Sequence, residues 1–141
     1  MKTRSETITL VGMPTRKEDK AIAALSPGHV VVYSGAGIIK RATAAVAGAK
    51  AIVFENELLG KTINDAYAIG ENVYYGVFKS GDRAQVRIAA SASAITKGDA
   101  LEFDATGCFR KRVTGIAVAS AEEALDNSAG VVEAFLTVEF L

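Results

Sequence analysis

The sequence predicts a mainly β protein: a compact small β-barrel or sandwich with one or two short helices and an extended N-terminal arm. Three observations lead there. Turn residues containing Gly recur ahead of β-prone runs, in "PGHVVVY", "IGENVYY", "SGDRAQV" and "KGDALEF", and many short strands with Gly-containing connections mark a sandwich or small barrel. Other runs alternate apolar and polar side chains, as half-buried strands do. At 141 residues the chain suits one domain, long enough to bury a core without a metal or disulfide. The recurrences have no fixed period, so they do not describe a solenoid.

Residues 1–20, "MKTRSETITLVGMPTRKEDK", are polar apart from "ITLVGM" and carry too little apolar surface to fold alone, so they read as an arm ahead of a β-rich domain over 21–141. The arm's apolar stretch suits pairing as an added strand with another chain; a frayed terminus without a role is the plainer reading. Contact candidates along it are Arg4, Ile8, Leu10, Val11, Arg16 and Lys17. "KEDKAIAAL", 17–25, predicts one or two helical turns with Ile22 and Leu25 on one side. Ser26-Pro27-Gly28 ends it, and "HVVVY" follows as a strand.

The Ala-rich stretch "RATAAVAGAKAIVF" favours helix by propensity. Gly48 interrupts it and "AIVFE" closes it in β-prone residues, so two strands about a Gly turn are expected. "NVYYGVF", 72–78, is apolar on both faces, with Val73, Tyr75 and Val77 on one and Tyr74 and Phe78 on the other. Such a strand is either central in a sandwich or packed on a second subunit, and Tyr74 and Phe78 are the interface candidates for the second case. In "RAQVRIA", Ala84, Val86 and Ile88 oppose Arg83, Gln85 and Arg87. "AEEAL", 121–125, predicts one helical turn, with Ser120 as N-cap and Glu123 at the capping-box position. Val132, Ala134, Leu136, Val138 and Phe140 then form the apolar face of a closing strand.

Charge and chemistry narrow the function classes. Lys plus Arg and Asp plus Glu are each 16, so the chain lacks the basic footprint of a protein made for nucleic acid or an anionic membrane. No apolar run has membrane-spanning length, and the N-terminus has no leader-type apolar region, which places synthesis in a cytoplasm. Cys108 and His29 stand alone in type, which excludes an internal disulfide and leaves a His/Cys zinc site nothing to build on. Cys108 reads as a small structural residue at a turn. "SGAGIIK" lacks the Walker pattern and the third Gly of the dinucleotide fingerprint. Asp82 and Asp99, after Gly81 and Gly98, fit Asx-type turns better than calcium binding or acid catalysis. Glu55, Glu57, Asp65 and Glu71 read as solvated loop charges. No catalytic residue, cofactor or metal site is expected from these residues.

Taken in order, "SPGHVV", "AIGENVYYGVFKSGDRAQVRIAASASAITKGDALEF" and "VTGIAVASAEEALDNSAGVVEAFL" resemble the small capsid decoration, or cement, proteins of tailed bacteriophages. The resemblance covers about residues 26–141, densest from Gly70 onward. It rests on Gly98-Asp99 before an apolar strand, Gly115-Ile116-Ala117, the segment Ala121 to Leu125, and Val131 to Leu136. It implies a β-tulip-like body, usually a homotrimer, seated on the outside of a phage head where major capsid subunits meet, with an arm along the shell. The implied partner is the major capsid protein and the implied place is the virion surface. Two other classes remain: a surface adhesin or glycan-binding module, for which the chain has four Tyr and no Trp, and an enzyme or regulatory domain, since "ITKGDAL" also resembles a turn of small β-clip domains.

Overall fold

The computed structural model describes residues 7–141, so Arg4 lies outside the described residues. Among the described residues eleven strands form: β1 (Thr9–Val11), β2 (Thr15–Lys20), β3 (Val31–Tyr33), β4 (Ile38–Lys40), β5 (Ala51–Val53), β6 (Asn72–Val77), β7 (Arg83–Ile88), β8 (Ala100–Phe103), β9 (Phe109–Lys111), β10 (Ala119–Ala121) and β11 (Ala134–Phe140). β7, β11, β10, β8 and β9 form a closed five-stranded barrel, because β9 returns to pair with β7. β1 is appended to β7. A three-stranded sheet in the order β2-β6-β5 and the β3–β4 hairpin complete the molecule.

Strand alternation builds the barrel core. Ala84, Val86 and Ile88 on β7 face Leu136, Val138 and Phe140 on β11, all essentially inaccessible, and the two strands pair from Ala134↔Ile88 to Glu139↔Arg83. Phe140 stacks on Phe78, which meets Phe54 edge-on. Phe103 and Phe109 pack edge-on beside them. Gln85 is buried as well, and its amide donates to the Thr7 carbonyl at 2.7 Å. The closing strand starts at Ala134; Val132 precedes it and is exposed.

β6 is the central strand between two apolar clusters. Phe78 and the half-buried Tyr74 belong with the barrel core, whereas Val73, Tyr75 and Val77 pack with Ala21, Leu25, Val31, Ile38, Ala51, Val53 and Tyr67. Phe78 is 3% exposed, so the subunit-interface role expected of it is corrected: its ring fills this chain's own core.

The arm is corrected too. Ile8 is wholly buried in the barrel core; its N–H donates to a Glu55 carboxylate oxygen and its carbonyl accepts from Gln85. β2 pairs with the whole of β6, from Thr15↔Val77 to Lys20↔Asn72. The described part of residues 1–20 is therefore built into the body. Backbone pairing holds it there, a source of binding that its low apolar content did not disclose.

Neither expected helix forms. Residues 17–20 lie in β2, because a short isolated helix is marginal in water and β6 offers a complete ladder. Ser120 pairs with Glu139 within β10 and β11, and Glu123 accepts the Thr137 N–H at 3.0 Å instead of closing a capping box. The only helical turn among the described residues is the 3₁₀ turn Glu57–Leu59, in a stretch that read as loop. Of the Ala-rich segment only β5 becomes a strand. Residues 41–50 stay irregular, with the Arg41 guanidinium donating to the carbonyls of Thr43 and Ala47.

Candidate functional site

One turn construction recurs, and it sets the state of the single histidine. In Thr96–Asp99 the Thr96 N–H donates to Asp99 Oδ2 (2.8 Å) while the Asp99 N–H donates to the Thr96 carbonyl (3.1 Å). Lys79–Asp82 repeats both bonds, at 2.9 and 3.1 Å. So does Ala68–Glu71, through a longer side chain, at 3.0 and 3.2 Å. Gly70, Gly81 and Gly98 occupy the third position with φ of 88°, 91° and 92°, a conformation open to Gly and strained for other residues. Gly81-Asp82 and Gly98-Asp99 are thus reciprocal turns, as the sequence suggested. Asp65 and Glu71 cap turns in the same way, and Glu57 pairs with Arg16 at 3.7 Å. Together with Glu55 on Ile8, these acids do more than solvate a loop.

Ser26–His29 is the same turn with imidazole in place of carboxylate. The Ser26 N–H donates to His29 Nδ1 at 3.1 Å, the His29 N–H donates to the Ser26 carbonyl at 3.2 Å, and Gly28 has φ 91°. Because Nδ1 accepts, the proton of the neutral ring sits on Nε2, which donates to Glu133 Oε1 at 2.7 Å. Arg87 is 3.6 Å from the same oxygen. Its guanidinium also donates to the carbonyls of Pro27 (2.7 Å) and Ile63 (3.2 Å) and lies over the Phe135 ring. Cys108 completes the group, wholly buried, with its thiol 3.9 Å from the Thr106 carbonyl.

Burial lowers the His29 pKa and outweighs the pull of Glu133, so the ring is neutral at pH 7. Burial works to raise Glu133, but the bond from His29, then the Cys108 thiol and the charge of Arg87, together outweigh it and hold the carboxyl below the usual carboxylate range. Burial pushes the Cys108 thiol up to about 12, so the thiol on its own stays protonated near neutral pH and is not a ready nucleophile.

His29, Cys108 and Glu133 bring their donor atoms within 4.8 Å of one another, a convergence the sequence reading missed because the residues are far apart in the chain. Its protons are arranged against metal binding. A metal on Nε2 would move the ring proton to Nδ1, where it would face the Ser26 N–H, donor against donor. The group is a hydrogen-bonded knot joining the 26–29 turn, β7 and the entry to β11.

Glu102 on β8 is a buried acid, held by Arg110 at 3.2 Å and by the Val113 N–H at 3.1 Å. Arg110 also reaches Asp104 at 3.2 Å.

Two open grooves flank β2. One, of about 310 Å³, runs between Arg16 and Glu18 on one side and Glu57, Leu58 and Tyr74 on the other. The second, of about 250 Å³, is more apolar and lies among Val31, Tyr33, Tyr75 and Val77, with Lys17 at its rim. Of the expected contact residues, Leu10, Val11, Arg16 and Lys17 are on the surface to differing degrees, whereas Ile8 is not. No helix among the described residues is long and apolar enough to cross a membrane. No protein-family model matches the chain, and no curated protein matches it either.

Proposed function

We propose that this chain is a structural virion protein that binds the outer surface of a phage capsid and stabilises the assembled shell by clamping neighbouring major capsid subunits, as a homotrimer. The observation that carries the reading is the run through the end of β1 and just beyond it: Leu10, Val11 and Met13 are 36%, 51% and 87% exposed, three apolar side chains on a segment whose neighbour Ile8 is anchored in the core. Contiguous exposed apolar surface marks protein contact sites. In this reading residues 10–13 are a contact ridge tethered to the body through Ile8 and the β1–β7 pairing, where the sequence alone suggested a free arm. The resemblance of residues 26–141 to decoration proteins supports the same reading. So does a barrel closed on itself, which leaves few open edges. Such a protein acts by linkage: it binds assembled shell better than free subunits and so favours the shell.

Cosedimentation with expanded capsids tests this. Binding at a fixed ratio to the major capsid protein is expected, with Val11→Asp and Met13→Asp weakening it while the body keeps its circular dichroism. No binding to any capsid would reject the function. Saturable binding to a defined glycan instead would favour an adhesin.

A further inference from the structure

β2 is an edge strand, and its register fixes which backbone groups face outward. The Ala21 N–H donates to the Glu71 carbonyl at 3.0 Å, in the register of the β2–β6 ladder. Bonded pairs alternate along an antiparallel ladder, so Thr15, Lys17 and Asp19 bond to β6, and Arg16, Glu18 and Lys20 point their N–H and C=O away. The Ile22 N–H agrees in phase, donating at 3.2 Å to the Ile38 carbonyl on the other side. The Lys20 carbonyl is closed off by Gly37 at the tip of the β3–β4 hairpin. Arg16 and Glu18 remain, with outward backbone groups that meet no described residue.

We propose that a second copy of this chain pairs there, β2 against β2, antiparallel across a twofold axis. The axis stands perpendicular to the sheet, so each register is centred on a residue that faces its own copy. Centred on Lys17, the register sets Arg16 opposite Glu18 of the second copy, twice, and each of these pairs exchanges two N–H···O bonds. With any other centre on the strand, Arg16 or Glu18 falls opposite Pro14, which has no N–H, or opposite Lys20, which is closed; centred on Lys17, Pro14 and Lys20 fall opposite each other at the ends and leave both Arg16–Glu18 pairs complete. The chain therefore selects a single register, and in it the bonded pairs carry opposite charges. Lys17 faces its own copy on the other side of the sheet, the one like-charge contact, with Asp19 two residues along the same face. Charged edge strands discourage indiscriminate pairing; this one discourages every register but its own.

The contact is small, hence weak alone and sensitive to salt, and it gains strength between copies already held side by side. It does not rest on the capsid reading, and threefold contacts elsewhere on the surface remain free to form. Sedimentation equilibrium of the whole protein from micromolar to millimolar concentration tests it. The weight-average mass is expected to rise with concentration, less so in high salt. Arg16→Glu and Glu18→Arg should each flatten that rise, and the double swap R16E/E18R should restore it. Glu57→Gln, which removes the partner of Arg16 within the chain, should associate as the parent does, and Lys17→Thr more tightly. Circular dichroism establishes that each variant is folded. A flat mass for the parent protein, unchanged association in both single reversals, or a double swap that does not recover would overturn the proposal.

Discussion

At the residue scale, the turn chemistry is the most legible feature of this chain. Gly98 has φ 92° and open space where a Cβ would stand, so Gly98→Ala meets no neighbour and costs only backbone strain, about 1 to 2 kcal/mol. Ala45 is the reverse case, a non-Gly residue at φ 64° whose N–H donates to the Phe103 carbonyl and whose carbonyl accepts from Ile116. Ala45→Gly is expected to gain about 1 kcal/mol. Urea unfolding of the two variants should therefore move in opposite directions.

His29 gives the second residue-scale prediction. Its pKa is lowered in the folded state from 6.5, so below that value the unfolded chain binds the extra proton and stability falls as pH drops. The loss continues down to the lowered folded pKa, where protonation puts a donor on Nδ1 against the Ser26 N–H. Glu133 adds an acid loss only below 4.5, its own reference value. In His29→Gln the fall in melting temperature between neutral pH and the Glu133 range should shrink; an unchanged slope would show that another group titrates there. The turn that holds His29 was visible as "SPGH". The tautomer and the Glu133 partner were not, since they depend on a contact across 104 residues.

At the element scale, β6 shows how far periodicity reaches. Its two apolar faces were plain in "NVYYGVF", yet a strand inside one chain and a strand between two chains carry the same pattern. The fold decides by bringing the barrel core to one face and the β3–β4 hairpin to the other. Gly76 marks the crossing: a Cβ there would lie 2.3 Å from the Phe54 ring and 3.1 Å from Pro14. Gly76→Ala should cost about 1 to 3 kcal/mol through overpacking, measured as a lower urea midpoint with an unchanged slope. The two helices expected from "KEDKAIAAL" and "AEEAL" failed for one reason. Segments of that length owe their conformation to their partners more than to propensity, and both found strands.

At the scale of the whole molecule, the N-terminal residues carry the sharpest consequence. Deleting residues 1–20 from a detachable arm would leave the body folded. Here the deletion removes β1, β2 and the buried Ile8, so loss of the cooperative thermal transition is expected, readable by circular dichroism. Ile8→Ala alone should cost about 2 to 5 kcal/mol. A truncated protein that melts like the full chain would restore the arm.

The sequence by itself determined the β class, the places of the Gly turns, the buried faces of β7 and β11 and the position of the last strand, because each follows from local turn chemistry or from alternation over a few residues. Only the tertiary structure decided that the barrel closes through β9 onto β7, that Ile8 and Phe78 face inward, that the carboxylates of Glu55 and Glu133 take partners far along the chain, and that Arg16 and Glu18 are left facing outward. Those outcomes rest on pairing between distant segments, and a strand carries no mark of its partner until the rest of the chain supplies the register.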